Sequence, residues 1–291
     1  MTLTNQSLLR PSTPMLSPIP KILLIGDYWH SDFGTLITNS ACTTTLVPTE
    51  QLSDEHLADS SFDLVTLAAA SRDQFSPAWV ESVRNKIAPT PLIALLGAWC
   101  EGEQRSGEPW PGVPRIYWHQ WQNRLDFFIQ QFSLDQTNNW QLPATANQAD
   151  QIANLNIKNI CNLGERKLII GISAVSDMHF QMVADASRAL KTEPVWIERD
   201  QPTTFTDQQF SLVVVDGDSW NQDLQSRINW LSTDLKINSP IVLMLNFPRP
   251  SDLPSLHYAG ITEIVSKPFQ LSDFGTAINR SINSTDSLPT T

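Results

Sequence analysis

Cys100 and His119 are side chains of types that do chemistry together: a thiol beside an imidazole can act as a nucleophile with its base. A carboxylate, Glu101 or Glu103, could orient the ring. The spacing does not enforce that geometry. Asp27-Tyr-Trp-His30 adds a carboxylate and a second imidazole. Asp27, His30 and His119 would suit acid–base chemistry in one pocket, and would equally suit a satisfied hydrogen-bonded cluster. For zinc, Cys100 and His119 are too few ligands, and His30, His56, His179 and His257 stand in other segments.

The stretch 97–121 is crowded with Trp, Gly and Pro. Trp99, Trp110, Trp118 and Trp121 offer large rigid contact area, with Glu101, Glu103 and Arg105 as polar fixtures, so the segment reads as a recognition loop for a partner or small ligand. The same tryptophans could instead pack the loop onto its own domain or onto a neighbouring one.

The elements that must position these groups repeat. Lys21-Ile-Leu-Leu-Ile-Gly26 answers to Lys167-Leu-Ile-Ile-Gly171, Phe62-Asp-Leu-Val65 to Phe210-Ser-Leu-Val213, and Pro91-Leu-Ile-Ala-Leu-Leu96 to Pro240-Ile-Val-Leu-Met-Leu245. Arg115-Ile-Tyr117 answers to Glu263-Ile-Val265, all in the same order and at nearly constant displacement. Apolar runs of this length without alternation fit parallel strands covered on both faces, and helix-length stretches lie between them. Two α/β, flavodoxin-like, doubly wound domains with parallel five-stranded sheets are therefore expected. The expected division is a loose tail at 1–19, a first domain at 20–132 with the Trp-rich insertion 97–121, and a linker at 133–166 holding a helix near 146–157. A second domain at 167–280 and a loose tail at 281–291 complete it. The Trp-rich insertion then leaves the fourth strand at the carboxyl edge of the sheet, where such folds bind ligands.

Composition narrows the function. The 291 residues carry a formal charge of −11 and no basic block, which disfavours nucleic acid and anionic membranes as partners. No run reaches the roughly 18 apolar residues of a membrane span, and the first twenty residues do not read as a signal peptide. Three dispersed cysteines, Cys42, Cys100 and Cys161, argue against a disulfide framework, so a cytoplasmic setting is expected. Neither first strand is followed by a phosphate-cradling glycine loop.

Phe210-Ser-Leu-Val-Val-Val-Asp216, together with Ala259-Gly260 and Ser266-Lys-Pro-Phe269, resembles the receiver domain of response regulators, over about residues 167–280. The resemblance implies that Asp216 is a phospho-acceptor and Lys267 the ammonium that holds the aspartyl phosphate, with Mg²⁺ held by acidic residues at the end of the first strand. Here that strand ends Gly171-Ile-Ser-Ala174, leaving Asp177 and Asp218 as auxiliary carboxylates, while Leu245 or Asn246 stands where a hydroxyl residue is expected. In the same register the first half places Ala68 opposite Asp216 and His119 opposite Lys267, and keeps Asp27. Lys267-Pro268 could also serve the fold as a cis-proline turn.

Together these readings describe two degenerate, tandem receiver-like domains forming a non-catalytic signalling or scaffold protein without standard aspartyl phosphorylation and without a cofactor. Its expected partners are proteins, a histidine kinase or another regulator. The alternative is an enzyme or small-ligand binder using Asp27, Cys100, Glu101 and His119.

Overall fold

The computed structural model describes residues 19–34, 41–100, 110–133, 167–198 and 210–286. Two five-stranded parallel sheets form, each flanked by helices, as the paired apolar runs require. In the first, β1 (Lys21–Gly26), β2 (Thr43–Val47), β3 (Leu64–Ala69), β4 (Leu92–Leu96) and β5 (Arg115–Tyr117) are ordered β2-β1-β3-β4-β5. In the second, β6 (Ile169–Ser173), β7 (Glu193–Trp196), β8 (Leu212–Asp216), β9 (Ile241–Asn246) and β10 (Ile261–Lys267) are ordered β7-β6-β8-β9-β10. Both share the flavodoxin-like order, with the switch point beside the first strand.

The helices start where local chemistry allows. In α2 (Pro77–Ile87) the Ser76 hydroxyl accepts the Trp79 N–H and Pro77 fills the first turn, while Val80, Val83 and Ile87 line the buried face. The Ser176 hydroxyl caps α4 (Asp177–Ala189) through the His179 N–H, and the Asn221 side chain caps α5 (Gln222–Thr233) through the Leu224 N–H. Each cap is worth about 1 kcal/mol. The remaining α-helices among the described residues are α1 (Asp54–Ala58), α3 (Trp121–Ser133), α6 (Leu253–Tyr258) and α7 (Leu271–Asp286). In the first half α3 covers one sheet face and α1 with α2 the other. In the second half α4 and α7 cover one face, α5 and α6 the other.

Ser281, expected at the start of a loose tail, is fully buried inside α7 and its hydroxyl meets that of Thr262 at 2.8 Å. The helix that closes the second sheet continues to Asp286. The helix expected near 146–157 lies outside the described residues. Among the described residues no helix is long and apolar enough to cross a membrane.

The halves meet through the 3-10 turn Trp118–Gln120 and α3 of one against β10 and α7 of the other. Arg124 of α3 reaches the Asp273 carboxylate at 2.7 Å, and Gln120 donates to its other oxygen at 2.8 Å. Arg280 of α7 donates to the Asn123 side chain and pairs with Glu263 at 3.2 Å.

Candidate functional site

Asp216 ends β8 and is completely buried at the carboxyl edge of the second sheet. One of its oxygens accepts from the Lys267 ammonium at 2.8 Å, and the other lies 2.8 Å from His179 Nδ1. Lys267 ends β10 just before a cis bond to Pro268, and its ammonium also stands 3.6 Å from Asp218. Asn246 ends β9 and donates its side-chain amide to Asp218 at 3.1 Å. The ladder pairs Leu245, which is buried, with Ser266 and Asn246 with Lys267, so Asn246 is the β9 residue that reaches the edge. The Asp216 main-chain carbonyl accepts from the buried Arg227 guanidinium. These contacts bring Asp216, Lys267, Asp218 and Asn246 together. Asp177 is not part of that cluster; it is exposed in the first turn of α4 and takes a hydrogen bond from Gln181.

His179 completes the site and did not stand out in the sequence as more than one histidine among five. The cap on Ser176 starts α4 just after β6, and that fixes His179 in the helix's first turn over the sheet edge. A carboxylate only accepts, so the ring nitrogen facing it carries the hydrogen. Nε2 is the ring nitrogen turned away from the carboxylate, on a side chain 35% exposed.

The residues present do not fit the Mg²⁺ that the resemblance implies. Ser173 and Ala174 stand where acidic ligands would be, both oxygens of Asp216 are engaged, and Mg²⁺ wants several oxygen ligands in near-ideal geometry. Among the described residues no group of three His, Cys, Asp or Glu side chains is placed to hold a metal ion.

In the first half Ala68 occupies the position of Asp216: Ala68 pairs with Leu95 as Asp216 pairs with Met244. The same ladders correct the expected register of the fifth strand by one residue. Tyr117 pairs with Leu96 and Ser266 with Leu245, so buried Trp118, not His119, stands where Lys267 does. The slip arose because Ile116 and Ile264 each stand between a charged residue and a strand-former, in Arg115-Ile-Tyr117 and Glu263-Ile-Val265. Asp27 follows β1 at the edge, half-buried, and Asp32 holds the loop by accepting the Ala98 N–H at 2.7 Å with His30 Nδ1 3.5 Å away.

Cys100 is fully buried in the α2-side core, its thiol donating to the Ala69 carbonyl at 3.4 Å. His119 stacks on Tyr117 and lines a small cavity with Asn123, Ser266 and Asp273 of the seam between halves. The thiol and the imidazole thus sit in different surroundings, one in the core and one at the seam. Of the four tryptophans, Trp118 and Trp121 belong to the core, Trp110 packs edge-on against Phe75, and Trp99 is 76% exposed. Glu101, Glu103 and Arg105 lie outside the described residues.

No family model matches the sequence, and no curated protein matches it. Similarity to solved structures is confined to shape. A response regulator from Thermotoga maritima shares 16% identity over 40% of this chain and 99% of its own, with a TM-score of 0.35. A pilus assembly-related protein from Burkholderia pseudomallei shares 17% over 40% of this chain and 90% of its own, TM-score 0.35. The anti-anti-sigma factor PhyR from Bartonella quintana shares 17% over 54% of this chain and 63% of its own, TM-score 0.36. Other structures similar in shape are described as response-regulator receiver domains, among them one from Francisella and one from Clostridium thermocellum.

At the seam, burial shifts three groups. It raises Asp273 above the usual carboxylate range, with Arg124 and Gln120 pulling it back, and raises Glu263 against the opposing pull of Arg280. It pushes His119 down to about 3, because an imidazolium there would lose its water.

Proposed function

We propose that this chain is a signalling protein of the two-component type that acts through protein contacts, with its Asp216 site held in one state instead of being switched by Mg²⁺-dependent aspartyl phosphorylation. The observation that carries this reading is the double engagement of Asp216 by Lys267 and His179, in a site whose β6 end supplies no carboxylate. An aspartyl nucleophile needs a free oxygen facing the donor and a cation to neutralise the developing charge. Here the ammonium and the imidazole already satisfy the carboxylate, and pulling it away from both would leave buried charge unpaired. The fully buried Cys100 disfavours the alternative enzyme site in the first half, because a thiolate nucleophile must be reached and stabilised. The proposed partners are proteins, a histidine kinase or another regulator.

Tryptophan fluorescence tests this, because Trp220 lies close to Asp216 in sequence and is half-buried. The intact chain and Asp216→Asn are titrated with beryllofluoride in the presence of Mg²⁺. The expected result is no saturable change in either protein. A saturable change that disappears in Asp216→Asn would overturn the proposal and make the second half a working switch.

A further inference from the structure

The pairing that blocks Asp216 prepares its neighbour. Asp216 is buried and held on its far side by Lys267, so its remaining oxygen is a fixed anchor for the Nδ1–H of His179. A buried carboxylate on one ring nitrogen fixes the tautomer, orients the ring and stabilises the imidazolium that forms when the other nitrogen attacks. His179 presents that other nitrogen from the first turn of α4 on a partly exposed side chain.

We propose that His179 Nε2 is a phosphoryl-accepting nucleophile, served by donors of the phosphoramidate class, the bond type a phosphorylated histidine of a protein partner carries. The Nε2 lone pair attacks phosphorus and forms the new N–P bond. The P–N bond to the donor breaks and the departing nitrogen takes its electron pair; a phosphohistidine donor protonated on its other ring nitrogen leaves as neutral imidazole, and phosphoramidate leaves as ammonia. The His179 ring becomes an N-phosphorylated imidazolium whose Nδ1–H remains on Asp216, so the step releases no proton from the site and needs no metal. Asp216 is a positioning residue in this step. The inference goes beyond the proposed function, which survives if His179 proves inert.

The test uses the full chain, His179→Gln and Asp216→Asn, each treated with potassium phosphoramidate without Mg²⁺. Uptake is followed by intact mass and located by peptide mapping under alkaline conditions, with exposed His257 as an internal clock. The expected result is that His179 is modified at least about tenfold faster than His257, and that this preference is lost in Asp216→Asn while His257 reacts as before. Labelling of His179 no faster than His257, or an unchanged preference in Asp216→Asn, would overturn the inference. Alkali separates the two readings, since hydroxide cleaves an aspartyl phosphate and leaves the P–N bond of phosphohistidine intact. Alkali-labile label in the intact mass that is absent from Asp216→Asn would sink both this inference and the proposed function.

Discussion

His119 is neutral in the fold because its ring is packed between Tyr117, Trp118 and the opposing half. Its pKa falls from 6.5 to about 3 on folding, so the unfolded chain binds the proton more tightly. The stability this contributes is present above pH 6.5 and lost as pH falls towards 3, at up to about 1.4 kcal/mol per pH unit. Urea unfolding from neutral pH downward should therefore show a slope that His119→Gln flattens; an equal slope in both proteins would place the acid sensitivity elsewhere. Single residues were unevenly legible in the sequence. Asp216, Lys267, Asp218 and Asn246 stood at strand ends, where order along the chain fixes position on the sheet edge. His179 did not, because its meeting with Asp216 depends on the angle at which α4 leaves β6. The tryptophans stayed open between recognition and packing for a related reason: composition marks Trp118 and Trp121 as unusual, but only the packing of α3 shows that they are core.

At the scale of elements, α3 and α7 are joined by a charge pair that is almost fully buried on both sides, Arg124 at 6% and Asp273 at 13% side-chain exposure. Removing one partner leaves the other as an uncompensated charge, a cost of about 3–5 kcal/mol. Arg124→Met should lose stability on that scale in urea unfolding, and so should Asp273→Leu. The double variant should lose less than the sum of the two, because it strands no charge. Strict additivity would show that the two side chains do not depend on each other. The central strands were plain in the sequence as continuous apolar runs buried on both faces. The edge strands β2 and β7 were not, because Thr43-Thr-Thr-Leu-Val47 and Glu193-Pro-Val-Trp196 are partly exposed and lack such a run. The one-residue slip in β5 has the same origin, since a three-residue strand carries too little pattern to fix its register.

For the whole molecule, the consequence of the seam is that the turn Trp118–Gln120 and α3 of one half are covered by β10 and α7 of the other. That leaves the carboxyl edge around His179, with Val175, Met178 and Phe247, exposed. It also ties the stability of one half to that of the other. Each sheet has its own two cores, so each half has the apolar content to fold on its own, and among the described residues what couples them is the set of Arg124–Asp273, Gln120–Asp273 and Arg280–Asn123 contacts with the packing of Leu253 against the first half's core. If that coupling exceeds the difference in intrinsic stability between the halves, heating should give one calorimetric transition with equal calorimetric and van't Hoff enthalpies. Replacing Arg124 and Arg280 together by Ala should resolve it into two, the first marking the weaker half. A single transition that persists in the double variant would mean that apolar packing, not the ion pairs, holds the halves together. Two transitions in the unaltered chain would mean that the halves are joined too weakly for one to report on the state of the other.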